Sequence, residues 1–271
     1  MSAEFRPDLV EAALRAAAAE HVMPLYRNLS DEQIRTKSSA ADFVTDADDA
    51  AERALKAALE PLWPEALFIG EESAAETPSL LSKLNEKGAF WIVDPIDGTR
   101  NFVHGRDHFA MMAALVVDGE TRWSWIYAPV WDVCVTAEAG GGAYLGGERL
   151  TGRKDRPLSE FRGELNIGSF PDDLRGRAAA GAQALGEPYD HASAAHGYLA
   201  IARGEADFAV YGKIAPWDHA PGALLVRETG GRSAFLDAAE EYAPRPWPDR
   251  PLLTVADASM WEPLRAALLG D

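Results

Sequence analysis

Three groups of carboxylates stand where apolar runs end, and that placement gives them chemical meaning. Glu71-Glu72 follows Ala66-Leu67-Phe68-Ile69-Gly70, and Asp94-Pro95-Ile96-Asp97-Gly98-Thr99 follows Ala89-Phe90-Trp91-Ile92-Val93. Asp218 follows Trp217 at the head of a stretch with helical periodicity. In open α/β arrangements, ligands bind beyond the carboxyl ends of strands and at helix N-termini. Pro95 lacks an N–H, so the strand ladder is expected to stop there and the chain to turn. Asp94 and Asp97 then face one space, with the Ile96 carbonyl as a further hard oxygen. Gly98 admits close backbone approach, and the Gly98 and Thr99 amides can meet an anion. Carboxylates plus a carbonyl suit Mg²⁺ or Mn²⁺ rather than zinc.

Two like charges about 4 Å apart repel by about 4 kcal/mol at an effective dielectric of 20. Acids sharing one pocket therefore call for cations or protons, and Arg100 is the only basic residue inside these motifs. Each group also has a plainer reading. Glu71-Glu72 alone would be a solvated loop, and Asp46 and Asp49 read as acidic residues favoured in a helix's first turn. An EF-hand starting at Asp46 fails, because Ala51 stands where Gly is needed and Ala57 at the twelfth position. The histidines His104, His108, His191, His196 and His219 show no ligand spacing and read as core or surface residues. Trp217 reads as packing, and Cys134, in an apolar strand, as a core residue without nucleophilic character.

These groups need elements to hold them. A helix is expected from Pro7 to Asn28, with Val10, Ala13, Leu14, Ala17, His21 and Leu25 on one face. Thr45 is a good N-cap for a second helix whose apolar face is Ala51, Ala54, Leu55, Ala58 and Leu62. Phe109 to Val117 and Arg122 to Ala128 flank Asp118-Gly119 as a hairpin, continued by Val133 to Ala137 and Ala143 to Leu145. The glycines from Gly140 to Gly147 read as hairpin turns, since no long helix or Lys-Ser/Thr follows them. Further on, strands are expected at Leu165 to Ile167, Phe208 to Tyr211 and Leu252 to Val255. Helices are expected at Leu174 to Leu185, Ala194 to Arg203, Trp217 to Thr229 and Ser259 to Leu269. The shift near Gly147 to Ser159 divides an α+β half, 1–150, carrying the metal and phosphate groups, from an α/β half, 151–271, that completes the site.

The chain has 271 residues, 47% hydrophobic and 25% charged, with a formal net charge of −17. That composition is of a folded globular protein large enough to bury a core without staples. The acidic balance argues against binding nucleic-acid backbones or anionic membrane surfaces. A single cysteine and a start without signal-peptide layout predict a reducing, cytoplasmic setting. No run approaches the roughly 20 apolar residues that a bilayer span requires.

The run from Asp94 to Phe102 resembles the signature of the inositol monophosphatase family. A second family signature is matched by Trp217-Asp218-His219-Ala220-Pro221-Gly222-Ala223-Leu224-Leu225, ending at Glu228-Thr229-Gly230-Gly231. Gly70-Glu71-Glu72-Ser73 matches its glutamate loop, and Lys37-Ser38 with Thr45 and Asp48 its N-terminal motif. All four occur in the family's order across nearly the whole chain. The resemblance implies an α/β protein with the layered αβαβα sandwich of the inositol monophosphatase and fructose bisphosphatase type. It implies a Mg²⁺-dependent, lithium-sensitive phosphomonoesterase of small phosphorylated metabolites, often a homodimer, binding two or three Mg²⁺ with Mn²⁺ as an alternative. By position, Glu71, Asp94 and the Ile96 carbonyl resemble the first metal's ligands. Asp94, Asp97 and Asp218 resemble the second's, and Glu71 helps hold a third. Thr99 with Asp48 resembles the pair that deprotonates the attacking water, with Glu71 beside it in the catalytic set. Asp97, Gly98, Thr99, Ser193, Ala194 and Tyr211 stand where phosphate and substrate are bound.

The sequence also departs from the pattern. Tyr211 occupies the place of a glutamate that grips ring hydroxyls in inositol-specific members, and Lys213 nearby could meet a second anion. The resemblance makes inositol 1-phosphate the first substrate expectation, and this departure leaves histidinol phosphate, fructose 1,6-bisphosphate and phosphoadenosine phosphate open. Pro221 stands where alanine is more usual, and is expected in its helix's first turn without functional cost. A non-catalytic relative that binds metal or a partner is the rival class. Such relatives usually lose a ligand, whereas every ligand position is filled here.

Overall fold

The computed structural model describes residues 5–37, 43–152, 156–186, 188–248 and 250–270. Ser38, part of the N-terminal motif, lies outside them. The chain opens with α1 (Pro7–Ala17), then a short ladder of β1 (Ile34–Thr36) and β2 (Phe43–Thr45), and α2 (Asp46–Leu59). β3 (Ala66–Gly70) leads into α3 (Glu71–Glu76) and α4 (Ser79–Ser82), and β4 (Ala89–Asp97) into α5 (Thr99–Val103). An antiparallel run follows: β5 (Ala110–Val117), β6 (Glu120–Ala128), β7 (Val133–Glu138), β8 (Gly142–Leu145) and β9 (Glu148–Arg149). The remainder is β10 (Gly163–Leu165), α6 (Asp172–Gly181), α7 (Ala194–Ala202), β11 (Phe208–Tyr211), α8 (Pro216–Glu228), β12 (Arg232–Phe235), β13 (Leu252–Val255) and α9 (Trp261–Leu269).

β3 to β9 pair in sequence order as a seven-stranded sheet, and β10-β11-β13-β12 form a four-stranded one. Their faces dictate five layers. α1 and α2 cover the outer face of the larger sheet, burying Leu14, Leu55, Trp91 and Trp125 between them. α7 and α8 fill the space between the sheets, with Tyr198 and Leu225 packed against Ile126 on one side and Leu252 on the other. α6 and α9 close the far face over Phe208 and Leu253, with Trp261 of α9 packed among them. The order is αβαβα, as the resemblance implies. Among the described residues no helix is long and apolar enough to cross a membrane.

Local chemistry explains most elements. Thr45 caps α2 by accepting from the Ala47 N–H, while Asp48 accepts from the Thr45 N–H at 2.7 Å in a reciprocal capping box. Asp118 and Gly119, both with positive φ, make the two-residue turn that suits the twist of the β5–β6 hairpin. Gly140, Gly141, Gly146 and Gly147 lie in turns as expected, whereas Gly142 begins β8.

Five expectations are corrected. The N-terminal α-helix ends at Ala17 and a π-turn, Ala18–Val22, follows. Its extra residue per turn rotates the buried face onto Ala18 and Val22, leaving His21 and Leu25 half-buried. In α2, Leu59 is buried and Ala58 exposed. β4 does not stop at Pro95: it runs to Asp97 through a register shift between Asp94 and Asp97, the bulge absorbing the missing donor. The strand expected at Leu165 to Ile167 is placed two residues earlier, and β12 was not foreseen at all. Pro221 lies inside α8 rather than in its first turn, because Pro216 begins the helix.

Candidate active site

The larger sheet delivers two of the carboxylate groups. β3 and β4 are parallel neighbours in register from Ala66↔Ala89 to Gly70↔Val93, so Glu71 and Asp94 emerge side by side at the same sheet edge. The bulge in β4 then turns both Asp94 and Asp97 inward, and α8 brings Asp218 to meet them. Oxygens of Asp94, Asp97 and Asp218 lie within 4.8 Å of one another, with Asp94 and Asp97 almost wholly buried. Burial and mutual repulsion push all three carboxyls up, Asp97 to about 6 and Asp94 and Asp218 well above their ordinary range. Three hard oxygen donors that resist being charged together fit a divalent cation such as Mg²⁺ or Mn²⁺.

Each carboxylate is held. Asp94 accepts from the Ile96 N–H at 2.9 Å. Asp97 accepts from the Ser193 hydroxyl and from the Ala194 and Ala195 N–H groups, at 3.1 and 3.0 Å, at the head of α7. The polar groups of Ser193 and Ala194, expected on substrate, are therefore directed at Asp97. His219, next to Asp218, is fixed at both ring nitrogens, 2.8 Å from the Lys213 carbonyl oxygen and 3.0 Å from the Tyr198 hydroxyl.

Thr99 begins α5 with its hydroxyl 2.9 Å from the Ile96 carbonyl oxygen and 3.4 Å from Asp48 Oδ1. Asp48 is fully buried, its other oxygen taken by the Thr45 N–H and hydroxyl, and burial pushes it up to about 7. Gly98 has φ +81°, and a Cβ there would lie 2.8 Å from the His108 carbonyl oxygen. The Asn101 and Phe102 N–H groups bond to the Gly98 carbonyl, 2.8 and 3.1 Å away, so the donors left open at the head of α5 are those that precede Asn101.

Glu71 stands outside the three-carboxylate group. Its Oε1 accepts from Lys37 Nζ at 2.8 Å, and the same ammonium reaches Glu72 at 2.7 Å. Within the carboxylate motifs Arg100 is the only basic residue, and the fold adds a second cation, Lys37, 34 residues distant from Glu71 in the chain. Glu71 still faces the cluster closely enough for its charge to raise Asp94, Asp97, Asp218 and Asp48. Glu52, also missed, accepts from the Glu72 and Ser73 N–H groups at 2.7 and 2.8 Å, and so anchors α3. Gly70 is its counterpart, since a Cβ there would lie 2.2 Å from Glu52 Oε2. Asn101 ties the His108 and His191 carbonyls together, both at 2.7 Å. Only the helical phase of Glu52, one turn beyond Asp48, carried a signal in the sequence.

Tyr211 is buried against Tyr198, with ring centroids 5.2 Å apart, and its hydroxyl lies 3.5 Å from the Ala194 carbonyl oxygen. A cleft of about 530 Å³ opens beside it, lined by Asp97 and Asp218 at one part and by Glu164, Asn166 and Lys213 at others. Asp46 and Asp49 pair with Arg35, outside this centre. Cys134 is buried in the first core layer.

A five-layered αβαβα fold with acid oxygens gathered at strand ends and a helix start defines a recognisable class. The chain belongs to the inositol monophosphatase family, whose model matches residues 7–269. A fructose-1,6-bisphosphatase/inositol-1-monophosphatase of Thermotoga maritima is 32% identical over 221 residues, 78% of each chain. A protein of Salmonella typhimurium named Nus factor SuhB is 31% identical over 243 residues, 87% of this chain and 88% of that one. The solved Thermotoga maritima IMPase superimposes with a TM-score of 0.80 at 26% identity, over 97% of this chain and 96% of that chain.

Proposed function

We propose that this protein is a Mg²⁺-dependent phosphomonoesterase acting on a small phosphorylated metabolite, with inositol 1-phosphate the first candidate. The observation that carries the reading is the convergence of Asp94, Asp97 and Asp218 beside the Thr99–Asp48 pair. Asp94, Asp97 and Asp218, with Glu71 and the Ile96 carbonyl at the margin, are the residues that would hold two or three divalent ions; Mn²⁺ would suit the same donors. Bound there, such ions would lower the pKa of water and stabilise charge on the entering and leaving oxygens.

The chain's own groups do the rest. Thr99 Oγ1 orients the attacking water and takes its proton, while its own proton passes to Asp48 Oδ1. The capping box that fixes Asp48 keeps that acceptor 3.4 Å from Thr99 Oγ1. The Gly98 and Thr99 N–H groups receive the phosphate, and the left-handed Gly98 sets their direction. Ser193 and Ala194 act through Asp97, holding it in place, and Tyr211 forms a wall of the cleft. A homodimer in a reducing compartment completes the reading, supported by the family resemblance and by the lone, buried Cys134. The net charge of −17 supports a metabolite rather than a nucleic acid as partner.

A second reading is the non-catalytic one, a chain that binds a metal or a partner, and it is favoured by the Salmonella relative's being named a Nus factor and not a phosphatase. One assay separates the two. Mg²⁺-dependent phosphate release is measured on inositol 1-phosphate, histidinol phosphate, fructose 1,6-bisphosphate and phosphoadenosine phosphate, with Asp94→Asn as control. The expected outcome is Mg²⁺-dependent turnover of at least one substrate, lost in the variant while its circular dichroism is unchanged. Wild-type turnover in Asp94→Asn would remove Asp94 from the metal centre, and no release at saturating Mg²⁺ would favour the binding reading.

A further inference from the structure

Glu164 has no part in the chemistry above, yet it is a carboxylate only 3% exposed that lines the same cleft as Asp97 and Asp218. It stands on β10, paired in parallel register with Ala209 of β11, the strand that ends at Tyr211. One oxygen is fully used: Glu164 Oε1 accepts from His191 Nδ1 at 2.6 Å and from the His191 N–H at 3.2 Å. Oε2 accepts no hydrogen bond from any described residue. Gly197 of α7 keeps room beside it, for a Cβ there would lie 3.1 Å from Oε2 and 2.6 Å from the Tyr211 hydroxyl. An oxygen of a nearly buried carboxylate that lines a cleft and has no protein donor is open to a donor from a ligand in that cleft.

The charges around the cleft indicate which donor. Apart from Asp97 and Asp218, its charged lining is Glu164 and Asp190 against Arg100 and Lys213, two acids and two bases. A cationic leaving group would answer the two acids and leave Arg100 and Lys213 without a partner, and a second phosphate would do the reverse. Hydroxyls satisfy both signs, because each donates to a carboxylate and accepts from an ammonium or guanidinium. Asn166 and Ser169 add neutral partners of the same kind.

We infer that Glu164, held in place by His191, is the specificity-determining residue of this site: Oε2 takes hydrogen bonds from hydroxyls on the leaving group, so that polyol monophosphates are preferred. The inference rests on the phosphatase reading above. A carboxylate on β10 then stands in for the one absent at Tyr211, whose own hydroxyl is turned to the Ala194 carbonyl.

The test is steady-state kinetics of the intact protein with Mg²⁺, wild type against Glu164→Gln. The substrates are inositol 1-phosphate, histidinol phosphate, whose leaving group carries an ammonium, and p-nitrophenyl phosphate, whose leaving group carries no hydroxyl. The glutamine keeps the volume and an oxygen for His191 but removes the charged acceptor. The ratio of kcat/KM for inositol 1-phosphate to that for p-nitrophenyl phosphate is expected to fall at least tenfold, through KM. A purely structural Glu164 would lower both substrates together and leave the ratio unchanged, which overturns the inference. Wild type preferring histidinol phosphate overturns the polyol assignment. Wild type releasing phosphate from none of the three, p-nitrophenyl phosphate included, removes the phosphatase reading and the inference with it. Should Glu164→Gln melt below the assay temperature, Glu164→Asp, which keeps the charge but withdraws it, is expected to lower the same ratio.

Discussion

At the scale of single residues, the site depends on groups that serve geometry and chemistry together. Asp48 is the N3 residue of a capping box and, through its second oxygen, the neighbour of the Thr99 hydroxyl. The start of α2 and the proposed proton path are thus fixed by one carboxylate. Gly98 is constrained twice, by its left-handed backbone and by the His108 carbonyl 2.8 Å from where a Cβ would stand. Gly98→Ala is therefore expected to destabilise the fold by about 1–3 kcal/mol and to depress turnover more than stability alone explains. Chemical denaturation of the pure variant checks the first part; a midpoint equal to wild type would mean the His108 loop gives way at little cost.

At the scale of elements, α7 is the pivot between the sheets. Its head holds Asp97, while His196, one turn on, is 2% exposed with Nε2 3.2 Å from the Phe109 carbonyl oxygen at the start of β5. Around it stand His108 and Trp131, ring centroids 5.1 and 4.6 Å away, and His191 beyond them. Burial foremost, with the neighbouring imidazoles adding, lowers His196 to about 4. The folded state then binds fewer protons than the unfolded one below the ordinary value of about 6.5. Its contribution is complete above about 6.5 and is lost as pH falls towards 4, on the order of 2 kcal/mol between pH 6.5 and 5. His196→Gln is expected to flatten that part of the stability profile relative to wild type, measured by urea unfolding at pH 7 and pH 5. Parallel profiles for the two proteins would show that His196 does not titrate with folding.

For the whole molecule, the larger sheet and the helices α2 and α8 bring one group of acids together. Asp94, Asp97, Asp218, Asp48 and Glu71 face one region, and Lys37, shared between Glu71 and Glu72, neutralises only part of it. Divalent cations that bind only the folded form stabilise it by mass action, about 2.7 kcal/mol at a hundredfold excess over Kd. Treatment with EDTA is expected to lower the melting temperature by several degrees and Mg²⁺ to restore it. An unchanged melting curve would mean that the carboxylates do not converge in solution.

The order of most elements and the chemistry at their ends were readable from the chain, because both rest on local rules. Period-two and period-3.6 patterns, the Thr45 capping box and Asp118-Gly119 act over a few residues, so β11 and β13 fell where expected. Glu71 and Asp94 could be paired because apolar runs ending in acids mark strand termini. What only the tertiary structure decided involves partners far apart in sequence. Lys37 reaches Glu71 across 34 residues, Asp97 reaches Ala194 across 97, and Glu164 reaches His191 across 27. β4 continues through Pro95 because β5 still pairs at Asp97↔Ala110, and β12 forms because β13 offers it an edge. The π-turn likewise depends on which face the sheet buries. Burial and pairing across such distances are set by how layers stack, and no short window of sequence contains that information.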